Sequence, residues 1–347
     1  MIVTLQYEPY ATETMNPNSH NRTHHPIPSR SGMSGFSMIE MMISITIGLL
    51  IVAALVGVLS SSAGSTKTND RTTELQSNGR YALSHLQQEL HHAGNRGYSP
   101  KAPESAGWTT AAITNECQAS GDAANSFVKN IRQSVWGKND SNPFAANCLP
   151  AASYNSSNIS DVLVIRHAAA TPTLAASAVA TTLYLNSSYN GISLLTGSSL
   201  PGTVVTGTEN FALLVYVYYI GYDDNDVTLP ALRRRALVNN QMVDEMVVSG
   251  IEAMQFEYGI TTASGSSQST QYFTANNISG SAGATGPTGW DGVNSVRIWL
   301  LARSAKAEPG YQNTNTYTMS NRVYGPVNDN FYRQIFSTVV QLRNFRD

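Results

Sequence analysis

The sequence predicts an α+β protein in which a long N-terminal helical spine packs on an antiparallel β-rich globular domain. Three observations support this prediction. An unbroken apolar segment lies near the N-terminus, a second helical pattern with one apolar stripe follows it, and beyond residue 98 β-rich segments alternate with turn residues. The length of 347 residues allows about two domains, or one large domain with additional segments.

The composition disfavours several classes of protein. Hydrophobic residues make up 41% of the chain, whereas charged residues make up only 13%, against roughly 25% in a typical soluble domain. The formal net charge of −2 lacks the basic excess of a nucleic-acid-binding protein, so no nucleic-acid partner is expected. Collagen, a disordered tail and a multi-span membrane protein are disfavoured as well.

The first element is an apolar helix over residues 36–59. These 24 residues carry one charge, Glu40, and span roughly 36 Å as a helix, enough to cross a hydrocarbon core of ~30 Å. A buried core helix is the alternative, but such a helix is seldom apolar on every face over this length. We therefore predict a transmembrane helix.

A polar leader precedes this helix, and Met15 is an alternative start to Met1. Its second half contains Arg22 and Arg30, and no acidic residue follows Glu13. Because cationic residues stay on the cytoplasmic side of a membrane helix, we expect residues beyond about position 60 to be exported.

The junction of leader and helix carries a specific motif. Gly35 precedes Phe36, and the lone carboxylate of Glu40 follows four residues later inside the apolar run. This pattern resembles the cleavage motif of type IV prepilins and type II secretion pseudopilins. The resemblance implies that a prepilin peptidase/methyltransferase cuts between Gly35 and Phe36, removes residues 1–35 and methylates the new α-amino group of Phe36.

Glu40 needs an explanation because a carboxylate inside a transmembrane helix costs about 2.5–3.5 kcal/mol on insertion scales. One interpretation places Glu40 close enough to the interface to reach water. The other, implied by the resemblance, is that it pairs with the α-amino group of Phe36 in the assembled filament and sets the register of the helices.

Residues 60–93 are predicted to be the amphipathic second half of the spine. Apolar or small residues recur there every three or four positions, at Leu75, Gly79, Ala82, Leu83, Leu86, Leu90 and Ala93. Gly94 supplies a stop signal. We predict one helix over 36–93, which Gly57, Gly64 and the Ser/Thr residues between them can bend or locally melt.

Several segments are similar to the PilW family of minor pilins. Residues 74–83 and 93–98 resemble its LQ-x-NGR-x-A sequence and AG-x-x-G turn, and 248–259, 296–304 and 339–344 resemble its last strands. The resemblance implies a pilin-like fold and a minor pilin that helps to prime and assemble type IV pili. The implied partners are other minor pilins and the major pilin, with a pilus-tip adhesin as a further candidate. The implied location is the inner membrane, with the globular domain in the periplasm and a further candidate location at the pilus tip.

The predicted globular domain, residues 94–347, is β-rich. Candidate strands bounded by Gly, Asn, Ser or Pro are 161–167, 181–185, 211–221, 232–238, 246–259, 293–303 and 331–342. The Gly/Ser/Thr-rich segments 186–208 and 261–289 are predicted to be long loops, and residues 99–210 match no family pattern. Cys117 and Cys148 lie in this domain, and a disulfide is expected in an oxidising periplasm. Closing this loop of about 31 residues would contribute roughly 3–4 kcal/mol.

The remaining polar clusters give weak signals for a site. His85, His91 and His92 lack the i, i+4 spacing of an HExxH zinc helix and are interpreted as a solvated helix face, and His167 carries no signal. Asp223, Asp224 and Asp226 are weak calcium candidates, but a polar turn with side-chain caps is favoured because the DxDxDG layout is missing. Strand alternation should divide Arg233, Arg234 and Arg235 between two faces.

The chain lacks the GxSxG, P-loop and GxGxxG motifs, and we predict neither enzymatic activity nor a cofactor. The alternative within the same machinery is a J-type minor pseudopilin of a type II secretion system, which shares the N-terminal motif. The C-terminal segments favour the pilus. A membrane-anchored periplasmic binding module or enzyme is a distant alternative.

Overall fold

A computed structural model describes residues 35–100, 108–118, 126–144, 148–150, 154, 160–203, 205–260, 271–278 and 289–344. The chain divides into two compact units, Met1–Ser61 and Ser62–Asp347. One α-helix and thirteen strands lie in the described ranges. They are α1 (Met38–His92), β1 (Val135–Lys138), β2 (Val162–Ala168), β3 (Leu183–Ser188), β4 (Gly191–Thr196), β5 (Thr208–Tyr222), β6 (Pro230–Val238), β7 (Gln241–Ser249), β8 (Ile251–Ile260), β9 (Gln271–Phe273), β10 (Val293–Arg303), β11 (Tyr317–Met319), β12 (Arg322–Tyr324) and β13 (Arg333–Gln341).

The predicted spine is confirmed as the single helix α1, which begins and ends within two residues of the expected bounds. The Ser/Thr-rich segment is helical throughout. The hydroxyls of Thr66, Thr68 and Thr72 each donate to the carbonyl four residues earlier, at 3.0, 3.2 and 2.9 Å. These polar side chains therefore satisfy their hydrogen-bonding groups inside the helix instead of competing with it.

The strands form three antiparallel sheets. A seven-stranded sheet has the order β1-β2-β5-β3-β4, with β6 paired to β5 and β7 to β6. A four-stranded sheet has the order β13-β10-β8-β9, and β11 and β12 form a hairpin. Together with the long apolar helix, these sheets confirm the predicted α+β fold class.

Each predicted strand coincides with at least one observed strand, but the boundaries need three corrections. The predicted loop 186–208 contains the end of β3, strand β4 and the start of β5, and the predicted loop 261–289 contains β9. The predicted strand 246–259 is two strands, β7 and β8, in different sheets. They separate at Gly250, whose φ of +79° is unfavourable for residues with a side chain. Residues 261–270 and 279–288 of the predicted loop 261–289 lie outside the described residues.

Two hydrophobic cores share strand β2. Leu163 and Ile165 face the core that also contains the buried stripe of α1 and the inner faces of β8, β10 and β13. Val162 and Val164 face a second core, formed with β3, β4 and the disulfide. Because alternate residues of a strand point to opposite faces, β2 is buried throughout and its sequence is nearly continuously apolar.

Candidate functional site

The cleavage motif lies at the start of α1. Gly35, Phe36 and Ser37 precede the helix, and the carbonyl of Ser37 accepts a hydrogen bond from Met41 N–H at 3.1 Å. The Phe36 side chain is 86% exposed, and open space surrounds the Cα of Gly35 where a side chain would begin. The peptide bond between Gly35 and Phe36 is thus in an exposed, non-helical segment.

Glu40 lies in the first turn of α1. A carboxylate at this position interacts favourably with the partial positive charge of the helix N-terminus. From residue 35 onward, no side chain that the structure describes forms a hydrogen bond or an ion pair with the Glu40 carboxylate. Among the described residues the Glu40 carboxylate is therefore unpaired.

The first half of α1 presents apolar side chains on every face. Phe36, Ile39, Leu50, Leu55 and Leu59 are all more than half exposed. The helix contains a window of mean hydropathy 2.7 in which no residue is buried, and it is long and apolar enough to cross a membrane. This surface, together with the prepilin motif, is consistent with membrane anchoring.

The second half of α1 packs on the sheets through the predicted stripe. Leu75, Gly79, Ala82, Leu86 and Leu90 are the buried residues of the helix. Gly79 is required by close packing, because a Cβ there would overlap the ring of Phe336 on β13. The glycine of the NGR sequence thus lets an aromatic ring from the C-terminal strand contact the helix backbone.

Two further contacts connect the C-terminal region with α1. The Asn344 side-chain amide donates to the carbonyls of His91, His92 and Ala93 at 3.2–3.3 Å and satisfies acceptors that the end of a helix leaves unpaired. Arg71 forms an ion pair with Glu308, which follows β10. These contacts were not predicted from the sequence, in which the one available signal was the similarity of residues 339–344 to the PilW family.

The interpretation of His85 as part of a solvated helix face is wrong, and His167, which carries no signal in the sequence, is buried in β2. His85 Nε2 lies 3.0 Å from the Tyr218 hydroxyl, and His167 Nε2 lies 3.2 Å from Glu89 Oε2. The His92 ring stacks on His167 with centroids 5.7 Å apart. These groups face the sheet because they flank the buried stripe. His91 lies at a groove beside β13, where its Nδ1 is 3.3 Å from the carbonyl of Gln341.

The pKa values of this cluster reflect its burial. Burial lowers the pKa of His85, and the charge of Arg234 acts in the same direction while Glu89 opposes it. Burial alone would raise the pKa of Glu89, but the hydrogen bond and charge of His167 outweigh it and lower that pKa below its ordinary value. The cluster connects the helix with β2 and β5.

The weak calcium candidates form a turn. Asp223 Oδ1 accepts a hydrogen bond from Asn225 N–H at 2.8 Å, and Asp226 Oδ1 accepts one from Thr228 N–H at 2.9 Å. Asp224 pairs with Arg233 at 2.6 Å. In the described ranges no three His, Cys, Asp or Glu side chains are grouped so that they could hold a metal ion.

The arginine triplet is divided between two faces of β6. Arg233 pairs with Asp224 and Asp244, whereas Arg234 pairs with Glu245 at 2.8 Å and lies over the Tyr216 ring. Arg233 and Arg235 are buried. The triplet therefore does not form an exposed basic patch.

Cys117 and Cys148 form a disulfide in the second core, where both residues are fully buried. The bond crosslinks a part of the chain, residues 99–210, that matches no family pattern in sequence. It supports an oxidising compartment for this domain.

Comparisons with known proteins agree with this geometry. Residues 217–344 match the family described as Type IV Pilus-assembly protein W, and residues 30–61 match the prokaryotic N-terminal methylation motif. No curated protein matches the chain. A type IV-like pilin, TTHA1219 from Thermus thermophilus, is 15% identical over 56% of this chain and 82% of its own, with a TM-score of 0.25, a likeness too low for a structural argument.

The methylation motif and the apolar helix indicate the class, a prepilin-like protein, and are consistent with N-terminal membrane anchoring. The match over residues 217–344 indicates the family within this class. Together the two matches support a type IV pilus minor pilin of the PilW family. The resemblance inferred from the sequence is thereby confirmed, and nothing favours the J-type pseudopilin. The pilin-like family suggests a structural, non-enzymatic protein.

Proposed function

We propose that this minor pilin primes and helps to assemble type IV pili after cleavage between Gly35 and Phe36 and N-methylation of Phe36. The observation that carries the proposal is the apolar surface of α1 beyond this motif, which is exposed on every side. Such a surface is stable in lipid, and in a filament it exchanges lipid contacts for contacts with neighbouring helices. Glu40 sets the register by pairing with the α-amino group of Phe36.

The proposed topology is a single membrane-spanning segment. Residues 1–35 are the cytoplasmic leader, 36–59 the membrane and filament-core helix, 60–93 the amphipathic part of the spine, and 94–347 the periplasmic domain. The arginines of the leader support its cytoplasmic location, and the Cys117–Cys148 disulfide supports an oxidising compartment for the globular domain. After export the protein lies at the pilus tip.

The role is structural and requires no cofactor. Its partners are the prepilin peptidase/methyltransferase, the other minor pilins and the major pilin, with a tip adhesin as a further partner. The second half of α1 buries its apolar stripe within the chain, whereas the apolar first half is exposed, which supports intermolecular packing through the first half.

Mass spectrometry of sheared surface filaments and of inner membranes from the same cells tests the proposal. We expect a peptide that begins at N-methylated Phe36 in both fractions. Its presence in membranes alone would contradict incorporation into pili and favour the pseudopilin. An intact bond between Gly35 and Phe36 in cells with active peptidase would contradict the proposal entirely.

A further inference from the structure

Strand β13 is an edge strand with an open side. Among the described strands it pairs with β10 alone, and all nine of its residues take part in that pairing. The register continues beyond both ends, where Ser304 N–H donates to Tyr332 C=O at 2.9 Å and Leu342 N–H donates to Asn294 C=O at 2.8 Å. In an antiparallel pair, alternate residues of a strand bond to the neighbour. The even-numbered residues of β13 therefore bond to β10.

The odd-numbered residues direct their backbone groups away from β10. Ile335, Ser337 and Val339 thus present three N–H and three C=O groups at the open edge, and no described residue outside β10 bonds to the backbone of any of them. At the end of the strand, His91 Nδ1 lies 3.3 Å from the carbonyl of Gln341. The open edge is therefore long enough to pair with a strand of about five residues.

The other sheet edges in the described ranges are short, covered or charged. β9 and β1 have three and four residues. The edge of β4 is covered by the segment at Thr109, whose N–H donates to Leu194 C=O at 2.8 Å. β7 carries Asp244 and Glu245 and bonds to Thr114.

In contrast, β13 has no charged residue after Arg333, and its residues Ile335, Phe336, Thr338, Val339 and Val340 favour strands. Proteins normally protect such edges with charges, prolines or a covering segment. A long, uncharged edge therefore indicates a site for strand addition by a partner.

The surroundings of the edge indicate the charge of that partner. Beside the C-terminal end of β13 lies a groove of about 530 Å³, lined among others by Gln87, Gln88, His91, Arg343 and Asn344. Its lining contains cationic and neutral side chains and no carboxylate. Arg343 is exposed and has no ion pair within the described residues.

A second copy of this chain would not neutralise Arg343. In an antiparallel pair of two β13 strands, Arg343 of one copy would lie near Arg333 of the other. There Asp329 and Glu252 are already bonded to Arg333 at 2.6 and 2.5 Å. A parallel pair would bring the two Arg343 side chains together.

We propose that the open edge of β13 binds an extended segment of a different polypeptide, with an acidic end that lies in the groove beside Arg343. The backbone groups of Ile335, Ser337 and Val339 form the main-chain hydrogen bonds. The positive charge of Arg343 favours a segment that ends in acidic side chains. This surface goes beyond the proposed assembly through α1 and does not depend on cleavage at Gly35.

Fluorescence anisotropy on the full chain in detergent micelles tests the proposal. The probe is a labelled peptide of alternating Thr and Val that ends in two Glu residues, and its control ends in two Lys residues. We expect the Glu peptide to bind at least about tenfold more tightly than the Lys peptide. Arg343→Glu should reverse that preference. Equal binding of the two peptides, or no binding of either, would overturn the proposal.

Ser337→Pro removes an outward N–H that β10 does not use, so an edge strand tolerates it. It should weaken binding of the Glu peptide at least about tenfold, whereas the matched Ser337→Thr should not. Unchanged binding by a folded Ser337→Pro would contradict strand addition. A dimer in sedimentation velocity that Ser337→Pro abolishes would show instead that the occupant is a second copy.

Discussion

The two halves of α1 have the same backbone conformation but different coverage of their side chains. Between Met38 and Leu59 the large apolar residues are all exposed, whereas between Leu75 and Leu90 every third or fourth residue is buried against the sheets. The first half is apolar all round and the second half along one stripe. A helix with one apolar stripe can bury it against the sheets of the same chain. A helix that is apolar on every face needs lipid or other chains to cover its surface.

The largest expected effect is on the cleavage between Gly35 and Phe36, which precedes assembly through the first half of α1. Gly35→Val should keep the whole population at the precursor mass, because the added side chain would occupy the cleavage position. Mass spectrometry of membranes checks this. Gly57→Ala, at another exposed glycine with open space around it, is the matched control and should be processed normally. Normal processing of Gly35→Val would remove the cleavage assignment.

Added side-chain volume in the second half of α1 should strongly reduce the stability of the protein. Gly79→Val forces a side chain into the Phe336 ring and should lower the free energy of unfolding by about 1–3 kcal/mol, whereas Gly57→Ala should not lower it. Urea denaturation in detergent micelles measures both. Combining Gly79→Val with Phe336→Leu should cost less than the sum of the single changes. Strict additivity would contradict the direct contact.

In the first half, Glu40→Ala should leave cleavage intact and reduce recovery of the protein in sheared filaments about tenfold, equivalent to about 1.4 kcal/mol. Glu74→Ala, at an exposed carboxylate in the second half, is the matched control. Quantitative immunoblotting of filament and membrane fractions gives the ratio. Equal incorporation of Glu40→Ala and the wild type would contradict a role in register.

The smallest expected effect is a pH dependence confined to the second half. Because burial lowers the pKa of His85 in the folded state, the unfolded state binds its proton first, and stability falls as the pH decreases through 6.5. Glu89, with its lowered pKa, adds a loss of stability in the same direction below pH 4.5. His85→Gln should flatten the upper part of this profile in thermal unfolding, and His91→Gln should not. An unchanged profile in His85→Gln would contradict a lowered pKa of His85 in the folded state.

Strands with strong local patterns were predictable. The apolar run of β2 and the β-branched and aromatic residues of β5 indicate strands without reference to the rest of the molecule. β4 was not predicted, because Gly191 and the Ser/Thr residues around it resemble a loop. It forms a strand because it pairs with β3 along its whole length. The break between β7 and β8 was also not predicted, because the sequence does not reveal that Gly250 has a positive φ.

The residues of the candidate site also differ in how far the sequence predicts them. The exposed motif at Gly35, Phe36 and Glu40 is contiguous in sequence, and its position at the boundary between polar and apolar residues was visible at once. The cluster of Glu89 and His167 was not visible, because 78 residues separate its members. Each residue alone resembles a polar group on a surface.

The sequence by itself determined the long apolar helix, the prepilin motif and the α+β class. These features depend on hydrophobicity, length and periodicity, which are local properties of the chain. Only the tertiary structure decided that Phe336 packs on Gly79, that Asn344 caps α1 and that β13 lies at an open edge. The physical reason is that packing and strand order join residues hundreds of positions apart, and no local pattern specifies which distant surface a side chain will meet.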